Sequence, residues 1–231
     1  MIPALNEATG IGATLASVAA QDGPVEVVVI DGGSEDGTPE AARRALPEAV
    51  VLTSPRGRAT QMNAGAERAS GDVLLFLHAD TRLPPDALAR VREALARSEA
   101  VGGCFRTAFG TASGQGAMGR ALMRLWQARL WMGWHRLAFG DRGLFFRRSA
   151  FEAIGGFPDQ PIFEDLDAVR AVRRLGAFVF LPQRVTTSPR RFEKNGALGQ
   201  QLRNLGLWTA WTAGVPPRRL KRFYGDGAAR G

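Results

Sequence analysis

A chain of 231 residues that is 45% hydrophobic and 23% charged can form one globular domain with a substantial core, which excludes a disordered or fibrous protein. The single cysteine, Cys104, excludes an internal disulfide and any zinc site built from several cysteines. The net charge of +8 favours a polyanionic partner such as nucleic acid, anionic lipid or a phosphorylated ligand, or else a solvated arginine-rich surface.

The sequence shows neither a secretory leader nor a run of about 20 uninterrupted apolar residues. We therefore expect a cytoplasmic protein without a transmembrane helix.

Apolar spacing and turn residues predict strands that alternate with helices through the first hundred residues. Ile11, Leu15 and Val18 recur at helical spacing, and Thr38 followed by Pro39 is typical of an N-cap and the first helical position. The further predicted elements are strands at 25–30, 50–52 and 73–77, helices at 59–69 and 88–95, strands at 101–109 and 143–146, helices at 116–134 and 164–175, and a strand at 177–181.

Alternating strands and helices indicate an α/β fold with a mostly parallel sheet flanked by helices. Ligands of such open sheets bind beyond the carboxyl ends of the strands. Polar groups occur at three of these ends: Asn6 with Glu7, residues 31–36, and residues 78–80. The sequence therefore predicts a ligand site at one edge of the sheet.

The segment IDGGSEDGT, residues 30–38, follows a buried strand and places Asp31 where it can accept hydrogen bonds from a ligand. The alternative is a plain turn with an aspartate cap. Neither GxGxxG nor GxxxxGK[ST] occurs, which disfavours a Rossmann dinucleotide site and a P-loop.

His78 and Asp80 alternate at the end of a strand, so both side chains can face one ligand. Carboxylate and phosphate oxygens suit Mg²⁺ or Mn²⁺, and Mn²⁺ also accepts imidazole. The alternative is that Asp80 caps the following loop while His78 forms a hydrogen bond in the core.

Three carboxylates, Glu164, Asp165 and Asp167, lie where a helix is predicted to begin. Acidic residues there complement the helix dipole. The preceding turn at 155–157 indicates a shaped loop, in which one carboxylate could act as a general base.

Six motifs in this order resemble the family 2 glycosyltransferases of the GT-A fold, over nearly the whole chain through about Arg191. The motifs are PALNE at 3–7, VVVIDGGSEDGT at 27–38, GRATQMNAG at 57–65, LLFLHADT at 74–81, GGF at 155–157 and FEDLD at 163–167. GRATQMNAG with LFLHADT is similar to a bacterial branch found beside radical-SAM proteins and linked to arsenosugar biosynthesis, whose other relatives include carotenoid glycosyltransferases.

The resemblance implies one Rossmann-like GT-A domain at 1–224, with a donor-binding half at about 1–100, an acceptor half at 101–224 and a loose tail at 225–231. It implies an inverting transfer from a nucleotide-diphosphate sugar to an unidentified acceptor, with Mn²⁺ or Mg²⁺. The residues implied at the donor site are Pro3, Leu5, Glu7, Asp31, Gly57, Arg58, Gln61, Asn63, His78, Asp80 and Asp141.

By the same resemblance, Asp31 recognises the base and Asp80, with His78, holds the metal. Asp165 is the catalytic base that deprotonates the acceptor. Glu164, its neighbour in the acidic pair, shapes the pocket with Asp141.

The sequence departs from the family pattern in four places. His78 replaces the first acid of the DXD-type motif, which favours manganese. Gly32 replaces the second aspartate of the usual pair, and Met62 replaces an arginine for which Arg58 can substitute. The strand before PALNE is missing, so we expect a truncated first strand.

Two segments, 118–137 and 202–222, combine tryptophan or leucine with arginine, as peripheral contacts with the inner face of a membrane do. The alternative is helices that pack on the core with long basic side chains at their rim.

Three rival functions remain open. A nucleic-acid-binding protein is not expected, because the aromatic residues cluster with apolar ones and tyrosine is nearly absent. The lack of a glycine-rich, lysine-containing loop near the start argues against a nucleotidyltransferase. A non-catalytic, membrane-bound scaffold stays possible because of the missing strand.

Overall fold

The computed structural model describes residues 1–97, 99–109, 142–188 and 197–224. Four sequence expectations lie outside these residues: the helix at 116–134, the membrane segment at 118–137, Asp141 and the loose tail at 225–231.

In the described ranges, eight strands form two sheets that meet at β1 and β4. Their bounds are β1 Ile2–Ala4, β2 Val28–Asp31, β3 Val50–Thr53, β4 Val73–Phe76, β5 Thr81–Arg82, β6 Ala100–Phe109, β7 Leu144–Arg147 and β8 Ala177–Thr187. The first sheet has the order β1-β2-β3 and is parallel, and the second has the order β4-β7-β6-β8-β5. Strand β7 runs antiparallel to both of its neighbours, while β6 and β8 are parallel.

The first strand, β1, is only three residues long, as expected of a truncated strand, and it lies centrally between β2 and β4. Its three residues pair with β2 in parallel. On the other side, the Met1 amino group donates to the Leu75 carbonyl (2.6 Å) and the Leu77 amide donates to the Met1 carbonyl (3.0 Å). These two bonds have the pattern of a parallel pair and join the two sheets through a strand too short to be recognised by periodicity.

Helices cover both faces of the sheet. Their bounds are α1 Ile11–Ala19, α2 Thr38–Ala45, α3 Arg58–Arg68, α4 Ala87–Arg97, α5 Arg148–Ala153, α6 Glu164–Val172, α7 Ala197–Thr212 and α8 Pro217–Tyr224. Helices α1, α2 and α4 bury apolar side chains in one core cluster, and α3, α5 and α6 in another. None of the helices in the described part of the chain is long and apolar enough to cross a membrane.

The two clusters follow the alternation of side chains along each central strand. In β7, Phe145 belongs to the first cluster while Leu144 and Phe146 belong to the second. In β6, Phe105 belongs to the first cluster and Cys104 to the second. Because successive strand side chains point to opposite faces, an uninterrupted apolar run is what a sheet covered on both faces requires.

The predicted N-cap of α2 is displaced by one residue. Gly37, in the left-handed region with φ of 80°, occupies the cap, and Thr38 is the first helical residue. Thr38 is buried, and its hydroxyl accepts a hydrogen bond from the Glu7 amide (2.8 Å). It therefore ties the loop after β1 to α2 instead of capping the helix.

A third, smaller cluster positions the C-terminal helices. Ile162, just before α6, is buried with Leu207 of α7 and Leu220 of α8. The Phe163 ring lies 5.3 Å from the Trp211 ring, and the Arg170 guanidinium lies 4.4 Å above the latter. These contacts dock α7 and α8 against the start of α6.

Candidate functional site

The carboxyl ends of β2, β1 and β4 lie side by side, because these strands are parallel neighbours. The segments that follow them, residues 5–8, 31–38 and 78–80, form what we call the rim. The structure thus brings the three polar groups predicted from the sequence to one edge of the sheet.

Asp31 ends β2 and is buried, with 3% of its surface exposed. Its Oδ2 accepts hydrogen bonds from the amides of Gly33 and Ser34, both at 3.0 Å. Its Oδ1 is also buried and has no hydrogen-bond partner among the described residues. Oδ2 therefore shapes the turn, as the capping interpretation predicted, while Oδ1 can accept a hydrogen bond from a ligand.

The loops of the rim are bonded to one another. The Asn6 amide donates to the Ser34 hydroxyl (2.9 Å), and the Glu35 amide donates to the Asn6 side-chain oxygen (3.0 Å). Asn6 has a positive φ of 54°, a conformation that asparagine tolerates better than most residues. The loop after β1 is thus fixed to the loop after β2 without a ligand.

Asp36 adds three further bonds to this network. Its carboxylate accepts hydrogen bonds from the Ala8 amide (2.9 Å) and from the amide and hydroxyl of Thr38. Partial burial alone would raise the pKa of Asp36, but these hydrogen bonds outweigh it, and the pKa lies below its usual value.

Gln61, predicted near the ribose or diphosphate, is buried between α3 and the strands. Its amide nitrogen donates to the carbonyls of Ala4 (2.9 Å) and Ile30 (2.7 Å), which uses both of its protons. A Cβ at Gly32 would lie 3.0 Å from this nitrogen. Glycine at position 32, where the family pattern has an aspartate, thus leaves room for Gln61 to link β1 to β2.

Asn63, also predicted near the ribose or diphosphate, holds the loop before α6. Its amide donates to the Phe157 carbonyl (2.8 Å) and accepts from the Phe157 amide (2.9 Å). A Cβ at Gly156, whose φ is 77°, would lie 2.8 Å from the Asn63 oxygen. The glycine pair in GGF therefore permits the close approach that attaches this loop to α3.

Arg58, the first residue of α3, joins the acidic pair of α6 to the edge of the sheet. Its Nε donates to Glu164 Oε1, and its terminal nitrogen lies 3.7 Å from Asp165 Oδ2. Both carboxylates are at least 96% buried, and Glu164 Oε2 has no hydrogen-bond partner within the described ranges. The residue before the pair, Phe163, has φ of 64°, a strained conformation for an aromatic residue.

Asp80 lies beyond β4 and is half-buried. Its Oδ1 is 3.4 Å from the Thr81 hydroxyl and 3.5 Å from that of Thr187, and its carbonyl accepts the Ser188 amide (3.2 Å). No group of three or more His, Cys, Asp or Glu residues converges within the part of the chain that the structure describes. Asp80 and His78 thus offer a carboxylate and an imidazole, a donor set that fits a divalent cation whose other ligands are phosphate oxygens or water.

A cleft of about 420 Å³ opens between the first turn of α3, the loop at 159–161 and α8. Arg58 forms part of its wall, so the cleft adjoins the Arg58–Glu164–Asp165 cluster. Its size falls within the range of small-molecule sites, roughly 300–1,000 Å³.

The remaining predicted residues among those described lie along the same edge; Asp141 lies outside the described residues. Pro3 lies within β1, Leu5 and Glu7 follow it, and Gly57 precedes α3; all four are half-buried. Sequence reasoning missed the approach of Arg218 and Lys221 to Arg58 across the cleft. The only signal was the RRLKR run at 218–222, which we interpreted as a membrane contact.

A family model described as "Glycosyl transferase family 2" matches residues 1–155 of this chain. The chain is 34% identical over 116 residues to undecaprenyl-phosphate 4-deoxy-4-formamido-L-arabinose transferase from Aeromonas hydrophila, in a match covering 46% of the chain and 36% of that protein. It is 41% identical over 98 residues to a PGL/p-HBAD biosynthesis glycosyltransferase from Mycobacterium bovis, covering 39% and 38%. The chain thus spans little more than a third of the length of these curated relatives.

Solved structures share the fold over nearly the whole chain. The mannosyltransferase PcManGT from Pyrobaculum calidifontis, in complex with GDP-Man and Mn²⁺, superposes with a TM-score of 0.63 at 23% identity over 96% of this chain and 66% of its own. Glucosyl-3-phosphoglycerate synthase from Mycobacterium tuberculosis, in complex with Mn²⁺, UDP and glucosyl-3-phosphoglycerate, gives 0.61 at 20% identity over 93% and 79%. The predicted GT-A fold is thereby confirmed.

Proposed function

This chain belongs to glycosyl transferase family 2, and from that premise we propose that it transfers a sugar from a nucleotide-diphosphate donor to an acceptor, with inversion at the anomeric carbon. One observation carries the proposal. Arg58 holds the Glu164–Asp165 pair at the edge of the sheet where Asp31 and Asp80 also lie. Acids from separate motifs thereby lie at the carboxyl ends of the strands and beside the first residue of α3.

The nucleotide would occupy the rim, with its base at Asp31. The buried Oδ1 of Asp31 is an acceptor without a described partner, and an N–H of the base would satisfy it. Because the rim loops are already bonded to one another, little ordering cost remains for binding.

Asp80 and His78 would hold the divalent metal of the donor complex, as their donor types permit. When bound, that ion supplies positive charge beside the diphosphate leaving group. The two structural neighbours described above contain Mn²⁺, and GDP-Man or UDP. Those contents suggest both the metal and the donor class proposed for this chain.

Asp165 would accept the proton of the attacking acceptor group. Its Oδ1 accepts the Leu166 amide (2.8 Å) and its Oδ2 faces Arg58, so the carboxylate is fixed in position and balanced in charge. Glu164, fully buried against the same guanidinium, would position Arg58 and shape the pocket.

Two narrower statements also remain proposals. The arsenosugar-linked branch is suggested by GRATQMNAG and LFLHADT alone, since neither curated relative named above is of that kind. Peripheral membrane contact is supported by exposed Leu205 of α7 and by exposed Phe223, which follows the basic residues of α8. The undecaprenyl-phosphate acceptor in the name of the Aeromonas relative is consistent with such contact.

The test is thermal unfolding with a panel of nucleoside diphosphates and their sugars, with and without Mn²⁺. A ligand that binds only the folded state at 100 times its Kd stabilises it by about 2.7 kcal/mol, which for this size raises the Tm by roughly 5–10 °C. We expect one nucleotide to give a metal-dependent rise.

Asp80→Asn should lose the dependence on Mn²⁺. The matched control is Asp86→Asn, which removes an exposed carboxylate that pairs with Arg90 outside the rim and should keep the wild-type response. A folded wild-type protein whose Tm no nucleotide shifts would contradict the proposed function. A metal-dependent rise that persists in Asp80→Asn would contradict the metal assignment alone.

A further inference from the structure

The cleft beside α3 is basic. Its wall includes Arg56 from the loop before α3, Arg58 from the first turn, and Arg218 and Lys221 from α8. Asp159 is the one carboxylate of the described lining. With Arg58 largely balanced by Glu164 and Asp165, Arg218 and Lys221 still add two positive charges beside the single charge of Asp159.

The first turn of α3 adds to this positive potential. The lining includes Ala59 and Thr60, and the first intrahelical bond runs from the Gln61 amide to the Gly57 carbonyl (2.8 Å). The amides before Gln61 therefore have no partner within the helix, and the positive end of the helix dipole opens onto the cleft. Four basic side chains and a helix N-terminus around one concavity favour a multiply charged anion.

The cleft is separate from the rim. None of its described lining residues belongs to 5–8, 31–38 or 78–80, although Gly57 and Arg58 are among the residues that the resemblance implies at the donor site, so the cleft borders that site. The cleft adjoins Asp165 through Arg58, which lies 3.7 Å from the Asp165 carboxylate and also forms part of the cleft wall.

We propose that this cleft binds a phosphate monoester of the acceptor, so that the sugar acceptor is a phosphorylated compound. The inference rests on the proposed glycosyl transfer and adds the acceptor class to it. Arg218 and Lys221 recognise the phosphate and set acceptor specificity, while Arg58 links the bound phosphate to the acidic pair.

The experiment compares two double variants of α8 with equal charge loss. Arg218→Ala with Lys221→Ala removes cleft residues, whereas Arg219→Ala with Arg222→Ala removes exposed basic residues that are absent from the described lining. All four side chains are exposed, so both variants should fold with an unliganded Tm close to that of the wild type.

Calorimetric titration with inorganic phosphate and glycerol 3-phosphate, at low salt, measures the site directly. It is run with and without a saturating nucleoside diphosphate and Mg²⁺. We expect phosphate to bind the wild type in both conditions, at least tenfold more weakly to the cleft variant, and within twofold of wild type to the matched variant.

Equal losses in both variants, or phosphate binding that nucleotide abolishes, would overturn the inference and leave the proposed glycosyl transfer intact. Absent phosphate binding in the wild type would overturn it too. Failure of every nucleotide to bind would instead count against the proposed function. The phosphate titration without nucleotide would still show whether the cleft binds phosphate.

Vesicles separate a lipid phosphate from a soluble one. Sedimentation is compared for phosphatidylcholine vesicles that contain phosphatidic acid, a monoester, or phosphatidylglycerol, a diester, in equal proportion. A preference for phosphatidic acid that only the cleft variant loses indicates a lipid-linked acceptor. Phosphate binding in the titration without that preference indicates a soluble one.

Discussion

The rim and the basic cleft are built in different ways. At the rim, Asp31, Asn6 and Gln61 bond to neighbouring backbone groups, so the loops hold their shape before any ligand binds. At the cleft, Arg218 and Lys221 are exposed side chains on a helix anchored by Leu220 on its other face. The rim is preorganised for one kind of ligand, whereas the cleft recognises charge and leaves the rest of its ligand open.

This difference predicts that the rim tolerates substitution less well than the cleft. Geometry that depends on many mutual hydrogen bonds tolerates little change, because each loss leaves a buried polar group unsatisfied. Exposed cations on a surface helix can be exchanged at little cost in stability. The predictions below test each side of the comparison in turn.

The largest expected effect is on the transfer step itself, apart from ligand binding at the rim or the cleft. Asp165→Asn keeps an oxygen that can accept the Leu166 amide but removes the proton acceptor, so transfer should fall by about 100- to 10,000-fold while donor binding is retained. Initial rates of nucleoside diphosphate release and calorimetric donor affinity measure the two. Asp167→Asn, on the same helical turn but bonded to Gln160, is the matched control. Transfer by Asp165→Asn at the wild-type rate would refute the assignment of the base.

A second effect concerns β1, on which the rim depends. Burial lowers the pKa of the Met1 amino group to about 5 from its ordinary value of 8.0, although Glu26 opposes the shift. The unfolded chain therefore binds more protons between pH 5 and 8, and the free energy of unfolding should rise with pH by about 4 kcal/mol across this window. Urea unfolding at a series of pH values measures the slope.

The control is the same chain with an acetylated amino terminus, which cannot titrate. Its stability should vary less over this window. Identical slopes for the free and acetylated forms would show that the Met1 amino group stays protonated in the fold.

Much of the fold, and the strand ends that form the rim, could be predicted because the sequence signals for them are local. The helix predicted at 59–69 is found at Arg58–Arg68, and the strand predicted at 101–109 is found at Ala100–Phe109. Polar residues directly after apolar runs marked Asp31 and Asp80 as strand-end residues. Each of these inferences uses residues that are close together in the chain.

What sequence reasoning missed depends on contacts between distant residues. The insertion of antiparallel β7 between β4 and β6 follows from pairing across some seventy positions, which no periodicity reveals. The bonds from Gln61 to Ala4 and Ile30 are equally non-local, so the side chain was assigned to the ligand rather than to the strands. The cleft pairs Arg58 with α8 at the other end of the chain.

Gln61→Ala should weaken the rim by a smaller amount. It leaves the buried carbonyls of Ala4 and Ile30 without this donor, which costs about 1–3 kcal/mol of unfolding free energy. Nucleotide affinity should fall as well, because β1 and β2 carry the loops that form the site. Phosphate binding at the cleft should not change. A stable variant with wild-type nucleotide affinity would show that Gln61 does not organise the rim.

The smallest expected effect tests whether Gly32 is a consequence of Gln61. A Cβ at position 32 would meet the Gln61 nitrogen at 3.0 Å and the amide carbon and oxygen at 3.1 Å, so Gly32→Ala should cost about 1 kcal/mol by overpacking. In the Gln61→Ala background that contact no longer exists, and the same substitution should be neutral or stabilise by about 0.4–1 kcal/mol through the unfolded chain. Urea unfolding of the four proteins of this cycle gives the coupling free energy directly. If the two substitutions are additive, the glycine is not required by Gln61, and the departure from an aspartate at position 32 needs another cause.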